Sequence, residues 1–173
     1  MHQDLGGETK LHVAASNNRL PEIQRLLDDA EELGILSELM DKADISGWTP
    51  LCIASYKGHL EIVQLLLLSG AAIDKTNNYG YTPLSVASSW GHLEVVKVLL
   101  KHNANLHIKD NDGKTALDWT REQGQDRSNY RQDRKAKIEE ILIAAGAKCK
   151  VSYCTYIIHI SKMFICIIEV TKM

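Results

Sequence analysis

Apolar and polar positions along this chain follow a pattern that returns every 33 residues. The stretch 47–71, GWTPLCIASYKGHLEIVQLLLLSGA, comes back at 80–104 as GYTPLSVASSWGHLEVVKVLLKHNA. Thr49 and Thr82 are 33 residues apart, and Thr115 opens a further copy after another 33 residues. A fixed period that many positions share is typical of repeat architectures, and it outweighs what any single residue indicates.

Each copy predicts a pair of helices. Pro50 suits the first turn of an inner helix, where its missing N–H leaves no bond unmade, and Gly58 suits the end of that helix. The outer helix that follows carries Leu60, Val63 and Leu66 at helical spacing, as expected of an apolar stripe packed on one face. Small residues in the inner helix are expected to let the paired helices approach closely.

A turn is predicted between successive helix pairs. Asp44, Asn77 and Asp110 each stand three residues before a glycine. Short Asp or Asn side chains with Gly at that offset are typical of tight turns. We therefore expect a hairpin tip at the start of each of these copies.

The first and last copies depart from the period. Seven extra residues lie between Thr9 and Thr49, within a stretch whose apolar residues predict a further helical turn. Ten extra residues follow Gly124, and five of the side chains there are Lys or Arg. This second insertion is either a basic docking patch or a solvated extension of the last helix. We favour the helix, since a polar terminal repeat keeps the end of a solenoid soluble.

The motifs TPL with a nearby Ala, GH-hydrophobic-Glu, LLL and GA together resemble the ankyrin repeat. The resemblance covers about residues 8–148 and implies an all-α solenoid of four stacked helix-turn-helix repeats with hairpin tips. The repeats fall at about 8–43, 44–76, 77–109 and 110–148.

One residue of the family pattern is mostly missing. In ankyrin repeats a His after Thr-Pro-Leu bonds back toward the Thr, and His12 keeps this position in the first copy. Cys52, Ser85 and Asp118 replace it in the later copies. The replacement predicts some loss of stability and leaves the predicted fold unchanged.

The resemblance also implies a function. Ankyrin arrays bind proteins through an extended concave face made of hairpin tips and inner helices. We therefore expect a non-catalytic adaptor or scaffold with a protein partner and no cofactor. Matched by position, the candidate contact residues are Trp48, Tyr56, Lys57, Tyr79, Tyr81, Ser89, Trp90, Lys114, Glu122 and Gln123, together with Ser16 and Asn17 of the first copy.

Aromatic composition points to the same surface. Five of the ten aromatic residues are candidates (Trp48, Tyr56, Tyr79, Tyr81, Trp90), although aliphatic residues already fill the core positions. Trp and Tyr often anchor protein interfaces. The alternative is that rings at hairpin tips pack on neighbouring tips. Trp119 aligns with Ile53 and Val86 and is expected in the core.

Charge and motifs favour no other activity. The 22 acidic and 20 basic side chains nearly cancel, whereas nucleic-acid binding calls for a basic stripe. We expect no metal or catalytic site, because His59 and His92 recur with the repeat and no phosphate loop or nucleophile elbow occurs. Four cysteines without Cys-x-x-Cys spacing, and an opening without an apolar run, predict an intracellular, cytoplasmic protein.

Residues 149–173 change character and become rich in Ile and Val. One hypothesis is a membrane-tethered module anchored by residues 151–170. Lys162 lies near the middle of that stretch, where it costs about 2.5–3.5 kcal/mol, whereas each Ile contributes only about −0.3 to −0.6 kcal/mol. The alternatives are an amphipathic flap on the last repeat or a terminus without a selected role. Carbonate-resistant pelleting with membranes distinguishes the tether from the soluble adaptor that we favour.

Truncation after Lys148 is expected to leave a soluble, cooperatively folding domain. The repeats bury their apolar faces on one another, and residues 149–173 supply no repeat position. Circular dichroism and urea unfolding of residues 1–148 measure the outcome. Aggregation or loss of helicity would instead show that the tail is a packed cap.

Overall fold

The computed structural model describes residues 7–122 and 129–146. Within these two ranges the protein is all-α and has no β-strand, as predicted. The helices are α1 (Lys10–Ser16), α2 (Leu20–Glu32), α3 (Leu36–Met40), α4 (Pro50–Lys57), α5 (Leu60–Leu68), α6 (Pro83–Trp90), α7 (Leu93–Lys101), α8 (Ala116–Arg121) and α9 (Asn129–Ala144).

Eight of these helices form four antiparallel pairs, and successive pairs stack. The inner helices α1, α4, α6 and α8 contact one another in that order, and each packs on its outer partner, α2, α5, α7 or α9. Helix α3 lies in the insertion between the first and second pairs, which confirms the predicted further helical turn.

Each inner helix begins at a threonine whose hydroxyl accepts a hydrogen bond from the backbone N–H three residues on. The four threonines are Thr9, Thr49, Thr82 and Thr115. Pro50 and Pro83 directly follow two of them, where the first helical turn needs no N–H. The recurring Thr-Pro of the sequence is thus a helix start.

Three copies lack the histidine of the family pattern. In two of them the residue at that position still caps the start of the helix. Ser85 Oγ and Asp118 Oδ2 each accept the backbone N–H of the capping threonine, at 2.9 and 3.0 Å. Cys52 does not close this box. Its Sγ lies 3.6 Å from the Lys75 carbonyl oxygen, and burial raises the pKa of the thiol to about 11, so the thiol donates.

A single apolar core runs through the stack. Its largest fully buried side chains come from all eight paired helices: Leu11, Ile23, Leu51, Ile62, Leu66, Leu84, Leu99, Leu117, Ile138 and Leu142. Val63 and Leu66 are buried as predicted, and Leu60 is partly buried against the core. Ala54 and Ala87 are fully buried in the inner helices, where small side chains let the backbones approach.

The second insertion is helical from residue 129 onward, where the 16-residue helix α9 begins. This confirms the helical extension for that part, while residues 123–128 lie outside the described ranges. One of its basic side chains holds α9 against its own repeat. Lys135 Nζ donates to the backbone carbonyl of Glu122 at 2.8 Å, and Lys135 also reaches that of Trp119 at 3.4 Å.

Leu66→Ala is expected to lower the free energy of unfolding by about 2–5 kcal/mol, because a fully buried leucine leaves a cavity. Leu68→Ala, in the same helix, is the matched control. Leu68 is 77% exposed, and its loss should change the free energy by less than about 0.5 kcal/mol. Urea unfolding measures both, and equal midpoints would show that the buried face of α5 is misassigned.

His12 joins the first repeat to the second. The Thr9 N–H donates to His12 Nδ1 at 3.1 Å, so the ring proton lies on Nε2, which donates to the Trp48 carbonyl at 3.0 Å. Burial lowers the pKa of His12 below its ordinary value of 6.5, an effect that the Trp48 carbonyl partly opposes. The folded state therefore holds a neutral imidazole at pH values where the unfolded chain takes up a proton.

The lowered pKa of His12 makes the stability of the fold depend on pH. His12 costs no stability above about pH 6.5 and destabilises the fold progressively as the pH falls below that value. His12→Ser, which copies Ser85 of the third repeat, keeps a capping side chain and removes the titration. Urea unfolding at about pH 7.5 and pH 5.5 should show a smaller loss of stability in the variant. An equal loss in both proteins would contradict the assignment.

Candidate protein-binding surface

The hairpin tips hold three of the candidate residues in the same geometry. In each tip one side-chain oxygen, Oδ1 of Asp44, Asn77 or Asp110, accepts the backbone N–H groups two and four residues on. The second of these N–H groups belongs to a candidate, with distances of 2.8 to 3.0 Å. The candidates held in this way are Trp48, Tyr81 and Lys114.

Neighbouring tips are also bonded to each other. The Asn78 N–H donates to the Ser46 carbonyl at 3.1 Å, and its side-chain amide donates to the Ile45 carbonyl at 3.0 Å. Asn111 repeats both bonds one tip further on, to the carbonyls of Tyr79 and Asn78. The tips therefore form a continuous edge along the concave face.

The aromatic candidates gather in two groups. The first ring cluster is Trp48, Tyr56 and Trp90, in which Tyr56 lies edge-to-face with both tryptophans, with ring centroids 5.7 and 4.8 Å apart. The cluster joins two repeats, because Trp90 comes from α6 and Tyr56 from α4. These rings pack on one another, but Tyr56 and Trp90 belong to inner helices, so the contacts differ from the packing of one hairpin tip on the next that was the alternative to a binding role.

The second ring cluster is Tyr79, Tyr81 and Trp119. The two tyrosines stack with centroids 5.9 Å apart, and Tyr81 meets Trp119 edge-to-face at 5.4 Å. This cluster joins the third and fourth repeats. Tyr79 is 57% exposed at its tip.

A groove of about 240 Å³ lies between the two ring clusters. It is lined by five aromatic residues, Trp48, Tyr56, Tyr81, Trp90 and Trp119, and by Ser85, Val86 and Ser89 of α6. The volume is below the roughly 300–1,000 Å³ that is usual for small-molecule sites. It suits one or two side chains of a larger partner.

The prediction that Trp119 lies in the core is wrong. Trp119 is half-buried on the groove, and its Nε1–H donates to Asp110 Oδ2 at 2.7 Å. The equivalent Val86 is buried yet also lines the groove, so this position of an inner helix faces the concave side. The sequence held one signal of this exposure. The indole of Trp119 is much larger than the side chains of Ile53 and Val86 at the same repeat position, so it exceeds the space that they occupy.

The remaining candidates surround the groove or lie apart from it. Lys57 Nζ is 5.3 Å from the Tyr56 ring centroid, and Lys114 Nζ is 4.5 Å from that of Trp119 and forms an ion pair with Glu122. Gln123 lies outside the described residues. Ser16 and Asn17 belong to the first repeat and do not line the groove.

The histidines of the recurring Gly-His bond to backbone carbonyls at the ends of inner helices. His59 Nε2 and His92 Nε2 reach the carbonyls of Ser16 and Tyr56, at 3.2 and 2.9 Å. Across residues 7–122 and 129–146, no three His, Cys, Asp or Glu side chains are grouped as a metal site. No helix in those ranges has the length and hydropathy of a membrane span, and residues 151–170 lie beyond them.

The fold and this surface define a class of protein, a repeat scaffold of stacked helix pairs with a concave groove. A family model described as ankyrin repeats (3 copies) matches residues 1–77, and one described as ankyrin repeats (many copies) matches residues 68–118. The chain belongs to the ankyrin-repeat family. Ankyrin repeats are generally protein–protein interaction modules and generally non-catalytic.

Two curated relatives show the same similarity over short segments. The chain is 44% identical over 64 residues to the human (Homo sapiens) transient receptor potential cation channel subfamily A member 1, which covers 37% of this chain and 5% of that protein. It is 41% identical over 68 residues to the mouse (Mus musculus) ankyrin repeat and SAM domain-containing protein 6, or 39% of this chain and 7% of that protein. The matches thus span a small fraction of either relative.

Proposed function

We propose that this protein is a non-catalytic adaptor that binds a partner protein through the groove between the two ring clusters. The observation that carries the proposal is the groove itself, in which five aromatic rings face a cavity of side-chain size. Aromatic residues, with Arg, dominate the energy of protein interfaces. A cytoplasmic setting is part of the proposal and rests on the pattern of cysteines.

The groove is suited to binding because its walls are held in place without a partner. Ring contacts cross the repeat boundaries, and backbone hydrogen bonds join one tip to the next. Binding to an ordered surface loses less conformational freedom than binding to a mobile one. A rigid aromatic groove therefore converts more of its contact area into affinity.

Trp48→Ala combined with Trp90→Ala is expected to abolish partner binding. Truncated interface anchors cost about 2–4 kcal/mol each, or roughly thirtyfold to a thousandfold in affinity. The fold should survive, because the variant loses two edge-to-face ring contacts worth about 0.5–1.5 kcal/mol each beyond their buried area. The measurement is affinity capture from cell extract with quantitative mass spectrometry, alongside urea unfolding of the same protein.

The matched control changes the outer helices instead. Leu68→Ala combined with Lys97→Ala alters two exposed side chains, on α5 and α7. Partners of the groove are captured by the wild type and by this control and are lost from the Trp48/Trp90 variant. If the Trp48/Trp90 variant captures every wild-type partner, or if it is unfolded in the assay buffer, the proposal fails.

A further inference from the structure

The two ends of the groove differ in charge. Beside the second ring cluster stand three carboxylates and one ammonium group, from Asp110, Asp112, Glu122 and Lys114. Burial raises the pKa of Tyr81 above its ordinary value, and the negative charges of Asp110 and Asp112 raise it further. At the first ring cluster stand one carboxylate, Asp44, which accepts the Trp48 N–H, and one cation, Lys57, which lies over the Tyr56 ring. The potential is therefore more negative at the Tyr81–Trp119 end.

Lys114 shows that this end accommodates a cation. Its ammonium group lies 4.5 Å from the Trp119 ring centroid and is ion-paired with Glu122. The hydrogen bond to Glu122 raises the pKa of Lys114, so the charged form is favoured. A ring face and a carboxylate thus act on the same cation.

A guanidinium group matches these two partners better than an ammonium group does. It is planar, it stacks on aromatic faces, and it can donate two parallel hydrogen bonds to a carboxylate. An arginine supplied by a partner would compete with Lys114 for Trp119 and for Glu122. Arginine is also the cation found most often over Trp and Tyr rings.

The serines that line the groove favour a donor over a purely apolar group. Ser85 Oγ is occupied, since it bonds to the Thr82 backbone. The half-buried Ser89 hydroxyl also lines the groove and makes no hydrogen bond to any residue of 7–122 or 129–146. An aliphatic side chain would remove water from Ser89 without replacing the bond, whereas a guanidinium group has five N–H donors.

We propose that the groove selects an arginine side chain of the partner and holds it at the Tyr81–Trp119 end, with Glu122 and Asp112 as counter-charges. This inference rests on the proposed protein-binding function and adds the chemistry of the residue that is bound.

The test uses the full chain and short peptides. The three indole N–H signals of the ¹⁵N-labelled protein are assigned by Trp→Phe variants and followed during titration with acetylated, amidated Gly-Ser-Gly-X-Gly-Ser-Gly, where X is Arg, Lys, Leu or Glu. The Arg peptide is expected to shift the Trp119 signal saturably. It should bind about threefold to tenfold more tightly than the Leu peptide, the range that a cation over aromatic rings provides. Its affinity should fall as salt is added.

Two lysine variants give predictions of definite sign. Lys114→Gln removes the competing cation and releases Glu122, so it should tighten binding of the Arg peptide by about twofold to fivefold. Lys57→Gln is the matched control on the other ring cluster, where the change should be less than about twofold. Glu122→Gln should weaken binding by about twofold to fivefold and reduce its salt dependence.

Three results would overturn the inference: no saturable Trp119 shift with the Arg peptide, tighter binding of the Leu or Glu peptide, or weaker Arg-peptide binding in Lys114→Gln. Tighter binding of the Leu peptide at the same indoles would leave the proposed function standing and remove arginine as the selected residue. The proposed function fails separately, when the Trp48/Trp90 variant keeps every wild-type partner.

Discussion

Two outer helices, α5 and α7, are joined at their starts by a histidine hydrogen bond to the end of the inner helix one repeat earlier. His92 Nε2 bonds to the Tyr56 carbonyl at 2.9 Å, and that carbonyl lies in the last turn of α4, where helix carbonyls otherwise remain unpaired. The imidazole needs space beside this helix end. A Cβ on Gly58 would lie 2.5 Å from His92 Nδ1, which is too close. Gly58 also has a φ of 76°, which disfavours any residue with a side chain.

The recurring Gly-His of the sequence is therefore a contact between repeats. The glycine that accommodates His92 is Gly58, one repeat earlier, and the glycine next to His92 in sequence, Gly91, ends α6 in the left-handed conformation. This arrangement also positions the first ring cluster. The same bond that joins the repeats fixes the last turn of α4, from which the Tyr56 ring extends between the two tryptophans of the first ring cluster.

Much of this architecture could be predicted from the sequence because it is set by local chemistry that repeats. The Asp or Asn three residues before a glycine predicts each hairpin tip, and the residue bonded to it, such as Trp48 or Tyr81, follows from counting. The two ring clusters could not be predicted in the same way. In each cluster one contact, Tyr56 with Trp90 or Tyr81 with Trp119, crosses from one repeat to the next. These contacts depend on the separation of stacked helices, which spacing within a repeat does not report.

Trp119 is a single position at which repeat spacing did not predict the environment of the side chain. Alignment places it with Ile53 and Val86, and from that position the sequence predicts burial. The structure instead turns the indole toward Asp110, an acceptor that belongs to the preceding hairpin tip. A position in a repeat therefore fixes the direction of a side chain, while the size and polarity of that side chain decide whether it is buried there, as Val86 is, or stays half-buried on the concave face, as Trp119 does.

The two roles weighed for the aromatic residues, packing on their neighbours and binding a partner, are compatible in this geometry. An edge-to-face contact joins the edge of one ring to the face of the next, so a cluster of three leaves part of its ring surface uncovered. Trp90 illustrates the outcome, because it contacts Tyr56 and is still 38% exposed. A ring with a purely structural role would be buried, and a ring with a purely binding role would be free to change rotamer. The rings of this groove are held by these contacts in the folded chain, so the partner that we propose would find side chains whose conformational entropy has already been lost.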